Sequence, residues 1–414
     1  MFGLYVHIPF CNKICPYCDF YKLVASDHLK EKFIDALSQE MKIKKLDDYL
    51  FDSLYIGGGS PSCLKLELLE KLFLNLSQYV NFLNLKEFTI ELNPSDITEE
   101  MVVLLSKYHI SRVSIGVETF SPRLQNLINR ILSYDELEKK IHLLHTYHIN
   151  NINIDLMYAL PTETLDDLDE DLKLVIQLKP THISAYSLIL EEHTIFHHLY
   201  VNNQLVLIDE KLESKMYHHV CSFLTKNGYF HYETSNFAKK GYESIHNLIY
   251  WNCEEYIAIG PSACSYLNSY RSKNIDNLNQ YLEGIRNNKI IMSENDYITL
   301  EEKMKEEIIL GLRKCEGISK SAFLKKYSLE IFDAFPKIQN LIVEGMLREK
   351  GDKIYIPQKY VYIGNHILLK ILACFFCMAY ICLPRFLHYG KELHLTFGVL
   401  YFYHYHNFQY SLKV

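Results

Sequence analysis

The sequence has little of what marks several common protein classes. It has no surplus of positive charge: 43 Lys and Arg against 50 Asp and Glu leave a formal charge of −7 and a pI near 6.3. That balance excludes binding to nucleic acid through bulk electrostatics. It has no disulfide framework, because eleven cysteines spread over 414 residues, three of them clustered, are not the dense pattern of small secreted domains. No P-loop lysine follows the triplet Gly57-Gly58-Gly59, and no G-x-G-x-x-G is present. Only Met1-Phe2-Gly3 stand ahead of the first motif, with nothing that reads as a signal peptide or an Arg-rich transit segment, so the expectation is a cytoplasmic protein. Hydrophobic content of 49% and charged content of 22% are ordinary for a globular chain, and the length implies two or three domains.

What the sequence does have begins at Tyr5. The run YVHIPFCNKICPYCDF places Cys11, Cys15 and Cys18 at spacing C-x3-C-x2-C directly after the apolar run Leu4–Ile8. Pro9 ends the strand and Pro16 keeps the cysteine segment from becoming a helix, so it reads as a loop at a strand end. Three thiolates on one short loop select iron–sulfur clusters, zinc or Cu(I). Zinc demands a closed tetrahedron, for which His7 is a fourth candidate. A four-iron cluster held by three cysteines keeps one iron open for a ligand.

Apolar runs then alternate with helical stripes. Strands are predicted at Leu4–Ile8, Ser53–Ile56, Glu87–Leu92, Arg112–Val117, Asn151–Met157 and His182–Ser187. Between them, Leu29, Phe33, Leu37 and Met41 make one helix face, and Leu66, Leu69, Leu72, Phe73 and Leu76 another. The alternation predicts an α/β fold with a parallel sheet of right-handed βαβ units. Either an open (βα)6 partial barrel or a doubly wound sheet fits. Unusual residues close each run: the cysteines, Gly57 to Pro61, Glu91 with Asn93-Pro94, Gly116 to Glu118, and Asp155. Chemistry collects at such strand ends in barrel enzymes.

The cysteine spacing, with Tyr17 before the last cysteine, resembles the radical S-adenosylmethionine (SAM) superfamily, and LYVHIPFC…C..CDF resembles its HemN/HemW family. The resemblance runs from about residue 4 to 372 and includes RVSIGVETF, NIDLMYALP and IGPSACSY. It implies a partial (βα)6 barrel, a 4Fe-4S cluster on Cys11, Cys15 and Cys18, and SAM on the fourth iron. SAM contacts are implied for Tyr5, Tyr17, Gly58, Gly59, Ser60, Glu91, Glu118, Arg130 and Asp155. The HemN branch carries a fourth cysteine where this chain has Phe20. The HemW branch carries H-N-x-x-Y-W, matched by His246-Asn247 and Tyr250-Trp251. The HemW side implies a haem chaperone, with His246 as candidate haem ligand, a haem-acceptor protein, and a reductant such as flavodoxin or ferredoxin. The alternatives are an oxygen-independent coproporphyrinogen III dehydrogenase and a zinc-binding structural protein. Glu118 stands where the family usually has Gln, and Cys264 where HemW members usually have His.

Four segments are expected: the barrel over 1–226, an aromatic-rich connection over 227–276, a winged-helix-like α+β domain over 277–360, and a tail over 361–414. In the third, Thr299 and Glu302 form a predicted capping box, with helices at Leu300–Leu312, Ser319–Lys326 and Ile338–Leu347. A hairpin over Met346–Ile356 is expected to turn at Gly351-Asp352. The last helix carries no basic concentration, which points to docking or a lid rather than DNA binding. In the tail, the apolar run Ile367–Leu383, broken by Lys370, is short for a membrane span. Cys374 and Cys377 form a C-x-x-C there with no second pair.

Overall fold

The computed structural model describes residues 1–372, so most of the tail, including Cys374 and Cys377, lies outside the described residues. The chain forms two compact units. The first holds Met1–His231, Ser235–Ile249 and Glu254–Tyr297, and the second holds Tyr232–Thr234, Tyr250–Cys253 and the chain from Ile298 on.

The first unit is built on one sheet. Its six predicted strands form as β1 (Gly3–Ile8), β2 (Ser53–Gly58), β3 (Glu87–Leu92), β4 (Arg112–Glu118), β5 (Asn151–Tyr158) and β6 (His182–Ser187). They pair in sequence order, all parallel. Every residue of β1 is buried, as a strand covered on both faces must be. The helices lie where the two stripes put them, at Asp27–Ile43, capped by Ser26, and Leu66–Leu76, and a further helix, Leu165–Gln177, opens on a Thr164–Asp167 capping box.

The stretch 227–297 adds six more strands: β7 (Phe230–His231), β8 (Asn236–Ala238), β9 (Tyr256–Ile259), β10 (Cys264–Leu267), β11 (Tyr270–Asn274) and β12 (Met292–Tyr297). The sheet order is β12-β11-β10-β9-β1-β2-β3-β4-β5-β6-β8-β7, so it stays open at both edges. Residues 277–297, grouped by sequence with the terminal domain, carry the helix Leu278–Arg286 and β12 in the first unit. β12 is exposed along its whole length and lacks the apolar alternation that marks a strand.

The second unit has helices at Leu300–Gly311, Lys320–Tyr327, Ile331–Ala334, Lys337–Val343 and Gly364–Leu372. A small antiparallel sheet joins β13 (Ile318–Ser319), β15 (Lys353–Tyr355) and β14 (Arg348–Lys350). The capping box is present, with Glu302 Oε2 accepting from the Thr299 N–H at 2.7 Å. The hairpin turns at Gly351, whose φ of 60° favours glycine. The helix expected over Ile338–Leu347 stops at Val343, because Gly345 takes φ 76° and the Leu347 N–H returns to the Leu341 carbonyl. Ile308, Phe323, Phe335, Ile338, Ile354 and Ile367 sit in one core. No helix among the described residues is long and apolar enough to cross a membrane.

Candidate functional site

Because β1 to β6 are parallel, their carboxyl ends lie along one rim. The cysteine loop leaves β1 and is pinned back to it: the Leu23 N–H donates to the Pro9 carbonyl at 2.8 Å and the Cys11 N–H to the Leu23 carbonyl at 3.1 Å. Cys18 N–H closes a turn on the Cys15 carbonyl at 3.2 Å, and Lys22 Nζ holds the Cys18 carbonyl. All three thiols are free and half-buried. Burial, then Cys18, Cys63 and Cys15, push the Cys11 thiol up to about 12. Burial pushes Cys18 up to about 11. Thiols raised as Cys11 and Cys18 are ionise readily only beside a cation, which is what an iron cluster supplies. Among the described residues, no group of three or more His, Cys, Asp or Glu stands ready to hold a single metal ion.

The end of β2 lies directly against this loop. The Gly59 N–H donates to the Ile8 carbonyl at 2.8 Å and the Ser60 N–H to the Phe10 carbonyl at 2.7 Å. A Cβ on Gly59 would stand 2.6 Å from the Phe10 carbonyl oxygen and 3.0 Å from Cys11 Sγ; one on Gly58, at φ 115°, would meet the His7 ring at 2.6 Å. Only bare backbone fits there. Ser60 Oγ is 2.9 Å from Ser62 Oγ, which donates to Asp96 Oδ2 at 2.8 Å, so this serine is part of a fixed turn.

The acids follow in strand order. Glu91, on β3, accepts from Tyr55 Oη at 2.8 Å and from the Gly58 N–H at 3.0 Å. Burial outweighs both bonds and pushes its carboxyl up to about 7. Asp155, on β5, accepts from Ser114 Oγ at 3.1 Å and Asn153 Nδ2 at 2.7 Å, and burial still holds its carboxyl above the usual range. Glu118 ends β4 in a left-handed conformation, φ 67°, strained for a non-glycine residue. Its Oε1 stands 3.5 Å from Arg130 Nη2, and burial raises its carboxyl against that attraction.

Arg130 joins the rim to the cysteines. Its Nη1 donates to the Gly116 carbonyl at 2.7 Å, its guanidinium stands within electrostatic reach of Tyr17, Glu118 and Cys15, and its Nε is buried without a hydrogen-bond partner. An orphaned buried guanidinium donor within reach of Cys11 and Cys15 fits an anionic ligand in that space. The Gly57–Gly59 backbone, the Glu91 carboxyl and this donor together suit a compact polar ligand lying against the cysteine loop.

Tyr5 is buried just inside the rim, within electrostatic reach of Glu91, its hydroxyl 3.0 Å from His7 Nδ1, while His7 Nε2 reaches the Tyr21 carbonyl at 2.9 Å. His246 lies at the opposite end of the strands. It is 0% exposed, its Nδ1 is 2.8 Å from Ser53 Oγ, its N–H donates to Glu87 Oε1 at 3.0 Å, and Gly3 closes over the ring. Burial pushes its imidazole down to about 3. The structure does not bring it to the cysteines. Cys264 opens β10 with its Sγ 3.9 Å from the Ser262 carbonyl oxygen, and burial raises the thiol to about 11.

Sequence reasoning did not single out Tyr55 or Cys63. Tyr55 looked like strand core, and its side-chain direction was the missing signal. Cys63, buried next to the Gly57–Pro61 turn, has its thiol within the electrostatic reach of Cys11.

Residues 5–175 match the radical SAM superfamily model, and residues 298–359 match the HemN C-terminal domain. A haem chaperone HemW of Lactococcus lactis subsp. lactis is 35% identical over 369 residues, covering 89% of this chain and 96% of its own. One from Bacillus subtilis is 34% identical, covering 89% and 98%, and one from Escherichia coli is 28% identical, covering 90% and 98%. The solved structure of coproporphyrinogen III oxidase (HemN) from Escherichia coli superposes with a TM-score of 0.77 over 90% of this chain and 89% of that one, at 22% identity. That likeness carries the partial-barrel fold with its separate terminal domain.

Proposed function

The chain belongs to the HemW family of radical SAM proteins, and from that premise we propose that it binds haem and passes it to an acceptor protein. Membership brings with it a 4Fe-4S cluster and SAM. In our reading Cys11, Cys15 and Cys18 hold three irons, and the fourth is left to the amino and carboxylate groups of SAM. When bound, that pair supplies one-electron reductive chemistry. The protein's own part is to hold and shield. The Gly57–Gly59 backbone lets the ligand approach where a side chain would collide. Glu91, poised near neutrality, can accept from or donate to a ribose hydroxyl. Arg130 offers its unpartnered Nε to a carboxylate, and Glu118 and Asp155 border the same space.

The observation that carries the reading is the match along nearly the whole length of the HemW relatives, joined to a cysteine loop that ends in Phe20. The test is anaerobic purification and reconstitution, with iron and sulfide analysis, followed by titration with SAM and hemin under electron paramagnetic resonance. Expected are four irons and four sulfides, a spectrum perturbed by SAM, and one haem that moves to an apo-haem protein. Iron-free protein after reconstitution refutes the cluster. Turnover of coproporphyrinogen III without haem transfer replaces the chaperone with an oxidoreductase. A flavodoxin or ferredoxin reductant is proposed with it, and reduction of the cluster by either is its check.

A further inference from the structure

We propose that haem seats on the outer face of the helix Ile195–Val201, with His198 as its iron ligand. This rests on the haem-chaperone reading and says where on the first unit that ligand goes.

Haem requires apolar surface and an accessible imidazole. His246 offers neither, being fully enclosed with its Nδ1 against Ser53. The stretch Ile189–Val206 offers both. Ile189, Ile195, Tyr200, Val201 and Val206 are all large apolar residues left exposed, Ile195 at 52% and Val201 at 62%. Exposed apolar side chains gathered in so short a stretch mark a binding surface. On the helix, Phe196 points inward and is buried with Leu124, Ile128, Leu160 and Leu205. The opposite face therefore presents Ile195, His198 and Val201, at spacing i, i+3, i+6, with the imidazole between the two aliphatic side chains. Asn202 Nδ2 donates to the His198 carbonyl at 2.7 Å and lies 3.5 Å from its Nδ1 and 3.3 Å from its Nε2, and the His198 side chain remains exposed.

The helix is also fixed to the cysteine loop. The Phe196 N–H donates to the Pro16 carbonyl at 2.9 Å, and its ring lies 6.5 Å from that of Tyr17. The inner face of the helix thus packs on the cysteine loop and leaves the opposite face, with His198, open.

The experiment is hemin titration of the full-length protein, followed by its Soret band, with His198→Ala, His197→Ala and His193→Ala compared at matched concentration. Expected is a shifted or weakened Soret band and at least a tenfold weaker hemin Kd for His198→Ala alone. A Val201→Glu variant should weaken Kd while leaving the band position of the bound form unchanged. Circular dichroism and SAM binding, which neither variant should alter, verify folding. If the wild-type protein binds no hemin, the haem reading and this site fall together. If it binds hemin but His198→Ala matches it in band and Kd, or His197→Ala or His193→Ala loses the band instead, the haem reading stands and this ligand is overturned.

Discussion

The two ends of the parallel strands differ sharply. At the amino ends, Ser53, Glu87 and His246 satisfy one another: Glu87 accepts from the Ile245 and His246 N–H groups at 3.0 Å each, and His246 reaches Ser53. At the carboxyl ends, Glu118 sits at positive φ, Arg130 Nε has no partner, Glu91 is pushed up to about 7, and three thiols crowd one loop. The first end is solved as a packing problem, while the second stores unpaired polarity and strain, as sites for ligands do. A motif histidine is therefore not a ligand merely by being in a motif; its surroundings decide.

The largest expected effect comes from the thiols. Cys15→Ala should abolish the cluster absorbance and lower iron and sulfide content, and full retention of both would remove Cys15 from the ligand set. Next, His246→Ala should destabilise the fold by about 2–4 kcal/mol in denaturant unfolding, as the emptying of a packed site does. It should leave the Soret band of bound haem in place, whereas loss of that band in folded protein would erase the contrast between the two ends. Gly58→Ala should cost about 1–3 kcal/mol, since the residue lies at φ 115° and its Cβ would meet the His7 ring.

Two smaller effects sharpen the carboxyl end. Arg130→Lys keeps the charge and loses the planar fork, so SAM should bind about tenfold more weakly, roughly 1.4 kcal/mol; unchanged affinity by calorimetry would place the ligand elsewhere. Glu91 titrates near 7 when folded against a reference of 4.5, so the folded state holds the extra proton between these values. Stability of the cluster-free protein should fall as pH rises through that window, by at most about 1.4 kcal/mol per unit, and level off above it. Glu91→Gln should remove that slope.

Much of this was legible in advance for a physical reason. Each of the first six strands is an apolar run bounded by turn residues, and each intervening helix buries a stripe at its own period, so the pattern declares itself locally. β7 to β12 were not legible. Several are two to four residues long and β12 is exposed throughout, so their pairing partners rather than their own composition make them strands. The cysteines were legible because thiols at short spacing are rare, and the rim acids because they interrupt apolar runs.

The sequence by itself determined the first six strands and the helices between them, the clustering of three thiols after the first strand, and the family. Those are properties of residues near one another in the chain. Only the tertiary structure decided that His246 is enclosed while His198 faces outward, that Tyr55 holds Glu91, and that Arg130 bonds to the Gly116 carbonyl with a buried donor to spare. Each depends on which way a side chain points once distant segments have packed, and no local pattern encodes that direction.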